Sequence, residues 1–173
     1  MKNSLRQRAT VLAARAFTRW PVLGRLWSTV ANIERTGDIP WTPMTKSLAD
    51  SSVCLITTAG LHLKTDAPFD MDDPQGDPTF RLIPSTATRD ELTITHNYYN
   101  HADADRDFNI VFPLDRMREL ATACVLRGVT PTHYSFMGHI DGPHVATLNT
   151  KILPELLQRI RTERPDFVFL TPS

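Results

Sequence analysis

The chain is poor in the features that mark several protein classes. It has two cysteines in 173 residues, Cys54 and Cys124, too few for a disulfide framework. Both have apolar neighbours, Val53 and Leu55 or Ala123 and Val125, so each is expected to be a small buried hydrophobe and not half of a redox pair. No apolar run approaches the roughly 18–20 residues of a membrane span. Arg15 and Arg19 interrupt the apolar stretch near the N-terminus, which argues against a secretory signal and for a cytoplasmic protein. The dinucleotide fingerprint, the phosphate-binding loop, the nucleophile elbow and the Cys-x-x-Cys pair are all absent. Net charge is also lacking, because 19 basic residues balance 19 acidic ones, and no nucleic-acid partner is expected.

That balance hides an asymmetry. Residues 1–33 carry six basic side chains and no acidic one, which leaves 13 basic against 19 acidic in the remainder. Leu5, Ala9, Leu12, Ala13, Ala16 and Trp20 recur at helical spacing and predict a helix over 3–19. Pro21 restarts the pattern, and Val22, Leu23, Leu26, Trp27 and Val30 predict a second helix ending near Gly37. Residues 1–37 thus read as a basic amphipathic helical arm. Its alanine-rich face suits packing on its own domain or on a sister subunit better than a membrane surface, which makes residues 1–34 the candidate contact of a homo-oligomer. The prolines of Asp38-Ile-Pro-Trp-Thr-Pro43 mark an extended linker, and residues 38–173 are expected to form one α/β domain.

Ser52-Val-Cys-Leu-Ile-Thr-Thr58 is a continuous apolar run ending in hydroxyls, the pattern of a buried parallel strand. Residues 64–90 hold Pro68, Pro74, Pro78, Pro84 and six aspartates, show no periodicity and read as one long functional loop. Further strands are expected at 92–95, 132–137 and 166–170. Leu114, Met117, Leu120, Ala121 and Cys124 predict a helix over 114–127 stopped by Gly128. Val145, Leu148, Ile152, Leu156 and Ile160 predict another over 143–163. Helices alternating with apolar strands make a mostly parallel sheet with flanking helices. No helix follows the last strand, so the α/β layer is expected to be incomplete at the C-terminus.

Ligands of open α/β sheets bind beyond the carboxyl ends of the strands. Thr57, Thr58 and His62 follow the first strand, His96 the second, and His139, Asp141 and His144 the third; together they are the candidate substrate pocket. Pro143 suits the first helical position and Gly142 or Asp141 the cap. The N–H groups of that helix start are expected to receive a carboxylate, unless Asp141 is a plain cap. A second cluster, His96, His101, Asp103 and Asp105, has the density of a metal site and sketches an alternative function, a metal-dependent hydrolase. It lacks the His-Glu-x-x-His pattern, and a turn in which Arg106 pairs Asp103 or Asp107 accounts for it equally. The aspartates over 70–77 miss the EF-hand template, since Pro74 and Gln75 occupy a ligand position and that of the required glycine. A third reading is a non-catalytic domain that docks through residues 1–34.

Five stretches carry a resemblance. They are Ile39-Pro-Trp-Thr-Pro43; Thr57-Thr-Ala-Gly-Leu-His62; Pro68-Phe-Asp-Met71 with Gly76-Asp-Pro78; His101-Ala-Asp-Ala-Asp105 with Asn109-Ile-Val-Phe-Pro113; and His133-Tyr-Ser-Phe-Met-Gly-His139. Together they resemble the B-type selenoprotein subunits of glycine, sarcosine, betaine and D-proline reductases, from about residue 38 onward and most specifically over 133–144. The resemblance implies an oxidoreductase that cleaves a carbon–nitrogen bond in a small amino acid or its N-methylated derivative. In such enzymes a selenolate attacks the carbon alpha to the carboxylate, a pyruvoyl-containing partner subunit activates the amine, and thiols supply the electrons; no cofactor of this chain's own is implied. A low pKa keeps a selenolate ionised at neutral pH, as it does an activated thiolate. In the family, a strand ending Leu-x-Pro leads into selenocysteine or cysteine, with a second cysteine after two residues. Leu170-Thr-Pro-Ser173 matches that strand end. The redox residue is therefore expected just after Ser173, and the chain is expected to be an inactive, truncated reading of a longer gene.

Overall fold

The structure is a computed structural model that describes residues 42–173 together with Trp20 and Val22. The helices expected over 1–37, and the oligomer contact drawn from residues 1–34, lie outside the described residues apart from those two. The chain divides into two compact units, residues 1–45 with 97–100 and residues 46–96 with 101–173. In the first, Trp20, Val22 and Met44 are exposed and Tyr98 and Tyr99 half-buried. The second unit holds everything below.

Strand β1 (Ser52–Thr57) is buried almost end to end, as an unbroken apolar run requires of a strand covered on both faces. On one side it pairs in parallel with β7 (Phe167–Thr171), from Val53 opposite Phe167 to Thr57 opposite Thr171. On its other side it meets two parallel strands in turn, β5 (Gly128–Val129) and then β6 (Thr132–Ser135). Strand β3 (Arg81–Pro84) lies antiparallel to β6. The result is a mostly parallel sheet in an α/β fold, as the alternation of elements predicts.

Pro131 separates β5 from β6, and the ladder with β1 is interrupted there. The Thr130 N–H still reaches the Val53 carbonyl at 2.9 Å. The Leu55 N–H donates instead to Nδ1 of His133, at 3.1 Å. A buried N–H left without an acceptor would be costly, so the imidazole acts as a patch in the sheet. Burial, and then the nearby Arg118, push the His133 pKa down to about 4, which keeps Nδ1 free to accept.

Helix α1 (Leu114–Thr122) precedes β5. The long helical stretch between β6 and β7 comprises α2 (Pro143–Thr147), a π turn at Leu148–Ile152 and α3 (Leu153–Glu163). Leu148, Ile152, Leu156 and Ile160 pack on Cys54, Tyr134 and Phe136, the stripe expected from the sequence. Val145 was expected in that stripe but is 41% exposed. The π turn explains the change of phase. Pro154 has no N–H for the preceding turn, and the wider turn before it, in which the Leu153 N–H reaches the Leu148 carbonyl, absorbs the mismatch.

Three expectations need correction. The stretch 64–90 is not one loop, because it contains β3 and a 3-10 turn at Arg89–Glu91. A strand of four residues is too short to show a period, and Pro84 is tolerated at its end. The strand expected at 92–95 exists as β4 (Leu92–Ile94), but it pairs antiparallel with β2 (Leu61–Leu63) in a separate small sheet. The chain doubles back after β1, with the Gly60 N–H on the Phe136 carbonyl and the Gly60 carbonyl taking the Thr95 N–H. Finally, α1 stops at Thr122, and Cys124 takes a left-handed conformation (φ 57°) and is exposed. Apolar neighbours in sequence do not say which way the residue after a helix end points.

Candidate functional site

The carboxyl ends of β1, β6 and β7 converge. The Ser173 N–H beyond β7 donates to Oγ1 of Thr58, just past β1, at 3.0 Å. Gly138, beyond β6, lies against the same residue. It has φ +89°, and a Cβ there would stand 2.8 Å from the Thr58 carbonyl oxygen, so glycine is what lets the two strand ends touch. His96 is buried beside them and hydrogen-bonded to the backbone of Met137. Its pKa is pushed down to about 4, first by burial, then by the neighbouring His101 and, less, by His139. The imidazole is neutral at physiological pH.

Residues 73–76 form a strap against the turn that follows β6. Nε2–H of His144 donates to Asp73 at 2.8 Å, and Nε2–H of His139 to the Pro74 carbonyl at 3.0 Å. The Asp141 N–H donates to the Gln75 carbonyl at 2.9 Å, and Gly76 bridges Ile140. A Cβ on Gly76, whose φ is +85°, would overlap the His139 carbonyl. The Gln75 N–H, then His144, hold the Asp73 carboxyl below its ordinary range. Asp73, Gln75 and Gly76 go unflagged by residue type alone. Their signals in the sequence are the aspartate-rich stretch over 64–90, read as functional, and Gly76-Asp-Pro78, which stands in a stretch that carries the resemblance.

The other candidate residues have definite structural engagements. Thr57 is buried, donates from Oγ1 to the Val111 carbonyl at 2.9 Å and accepts the Ala59 N–H at 3.2 Å. His62 lies within β2. Its Nδ1–H donates to the Leu63 carbonyl and its Nε2 accepts from the Thr95 hydroxyl, both at 2.8 Å, and Phe69 packs edge-on against the ring. Pro143 is the first residue of α2 and Gly142 its cap, as expected. The expected carboxylate cradle at that helix start is corrected. Asp141 Oδ1 takes the Gly142 N–H at 2.7 Å, and the His144 and Val145 N–H groups go to the Asp141 and Gly142 carbonyls at 3.1 and 3.2 Å. The chain's own oxygens fill it.

The metal alternative fares poorly. Nδ1–H of His101 donates to Asp105 at 2.8 Å, and Arg106 pairs Asp103 at 3.2 Å, one of the pairings expected of a plain polar turn. Among the described residues no group of three or more His, Cys, Asp or Glu side chains is placed to hold a metal ion.

No protein-family model matches the chain, and no solved structure matches it. It is similar to the D-proline reductase subunit gamma of Acetoanaerobium sticklandii, 36% identical over 131 residues. The likeness supports the reductase family. It takes in 76% of this chain and 52% of that protein, so the chain spans about half the length of the curated relative it matches. Among the described residues no helix is long and apolar enough to cross a membrane.

Proposed function

We propose that this chain is a cytoplasmic subunit of an amino-acid reductase, acting on D-proline or on the related amines glycine, sarcosine and betaine. Its part in the reaction is to hold the substrate where β1, β6 and β7 end. The observation that carries this reading is the contact of Ser173 with Thr58, next to Gly138 and to the buried, neutral His96. In this reading Thr58, His96 and His139 line the substrate pocket, while Thr57, His62, Asp141 and His144 hold its frame. The likeness to a D-proline reductase subunit supports the choice of chemistry.

The reaction needs a nucleophile that this chain does not offer. Cys54 is buried, and its thiol is pushed up to about 11, chiefly by burial, so it stays protonated and unreactive at neutral pH. Cys124 is exposed beyond the end of α1, with no second cysteine beside it to complete a redox pair. In this proposal a selenol or thiol outside the described residues supplies the nucleophile, as the resemblance implies. Its attack on the carbon alpha to the carboxylate displaces the amine. A second thiol then attacks the selenium or sulfur, which releases the carbon with its electron pair to take a proton as a selenenyl sulfide or disulfide forms. A pyruvoyl-containing partner subunit that activates the amine belongs to the same proposal.

A dithiol-dependent reduction assay with the four substrates tests it. The chain 1–173 alone is expected to show no turnover. The reductase assembled with its partner subunits is expected to reduce at least one substrate, and Thr58→Val and His139→Ala should each lower kcat/KM about tenfold or more. Turnover by the chain alone, or unchanged kcat/KM in both variants, contradicts the proposal.

A further inference from the structure

A separate concavity of about 410 Å³ lies between the 3-10 turn at Arg89–Glu91, the segment 106–109 and the start of α1, and none of the seven pocket candidates lines it. Its floor is apolar, with Leu92, Phe112 and Leu114 each buried to 6% exposure or less. Its rim carries three guanidinium groups, Arg89, Arg106 and Arg116, and two carboxylates, Asp107 and Asp115. The carboxylates are engaged within the protein. Asp107 accepts both the backbone N–H and the side-chain amide of Asn109, at 3.0 and 2.8 Å. Asp115 accepts from Arg118 at 2.8 Å and from Asn109 at 3.2 Å.

The arginines are engaged far less. Among the described residues Arg89 makes one long hydrogen bond, 3.5 Å to the Asp105 carbonyl. Arg106 and Arg116 pair with Asp103 and Glu119 in contacts whose side chains are all more than half exposed, a kind of pair that contributes little and is readily exchanged. Each guanidinium has five N–H donors in a planar fork that suits a carboxylate. Arg89 and Arg116 both line the cavity and both lower the Asp107 pKa.

We propose that this cavity binds an organic monoanion, a carboxylate carried on an apolar body. The head group would lie on Arg89 and Arg116 and the body over Leu92 and Phe112. Asp107 and Asp115 are held by Asn109 and Arg118, which leaves the loosely engaged guanidinium groups of Arg89 and Arg116 for a single negative head. The apolar floor favours a ligand with a body over bare phosphate. The proposal stands independently of the reductase reading.

Titration of the full chain by calorimetry and NMR, with phenylacetate as the probe, tests it. Phenylacetate should bind saturably and shift the resonances of Leu92 and Phe112, and the neutral phenylacetamide should bind about tenfold more weakly or worse. Arg89→Gln and Arg116→Gln should each weaken phenylacetate by a similar factor, whereas Arg161→Gln, on the exposed side of α3, should not. Thermal unfolding checks that each variant is folded, and two independent rim variants keep the test usable if one is not. Absence of saturable binding, equal binding of the amide, or wild-type affinity in folded rim variants overturns the proposal. Inorganic phosphate binding as tightly as phenylacetate overturns it too, by reducing the cavity to a plain cationic patch.

Discussion

Strands β1 and β7 run side by side in one register, and both are short apolar runs, yet the molecule treats them differently. Leu55 in β1 is fully buried, while its direct partner Phe169 is 41% exposed and Leu170, opposite Ile56, is 66% exposed. The centre strand has neighbours on both sides, with β5 and β6 opposite β7. Among the described residues β7 pairs with β1 alone. An apolar run thus reports membership of the sheet and not the place within it. The exposed side chains of β7 form a surface that another element or another chain would suit.

The largest expected effect belongs to the buried histidines of the well-covered region. His133 and His96 sit at about 4 in the folded protein against an ordinary value of 6.5. With folded values below unfolded ones, the unfolded chain takes up protons that the native state refuses as the pH falls below 6.5. Stability that is complete above that point is lost progressively on the way to pH 4, by roughly 3 kcal/mol per histidine. Urea unfolding at pH 7, 5.5 and 4.5 should show a steady decline, and a flat profile would contradict the burial argument.

The second prediction sets the paired residues against each other. Leu55→Ala should cost about 3 kcal/mol, the usual loss for a core leucine. Phe169→Ala removes more atoms but should cost under about 1 kcal/mol, because the ring is already partly in water. Equal losses would erase the distinction between the two strands. Smaller again is the patch in the ladder. His133→Phe keeps the ring but strands the Leu55 N–H, and should cost about 2 kcal/mol. Faster amide exchange at Leu55 in that variant, relative to Val53, would locate the loss.

Much of this was legible in the sequence. The apolar runs at β1, β6 and β7 and the i, i+4 stripe from Leu148 to Ile160 are long or regular enough to declare themselves. So is the Gly142-Pro143 helix start. Strands β2 and β3 are not, since three or four residues carry no period and their pairing is decided by distant partners. His139 and His144 stand out as candidates by their place after a strand, but the strap that holds them comes from residues some seventy positions earlier. His133 is legible only in hindsight, through Pro131 two residues before it, because no residue type announces that it will replace a carbonyl in a β-ladder. The arginine cavity joins residues 87–116 through folding alone.

At the centre of this reading stands a substrate site of an amino-acid reductase at the carboxyl ends of β1, β6 and β7. The most direct measurement is kcat/KM of the reductase assembled with its partner subunits, with Thr58→Val beside the wild type, in a dithiol-dependent assay. A loss of about tenfold or more is expected. An unchanged kcat/KM in the folded variant would contradict the reading.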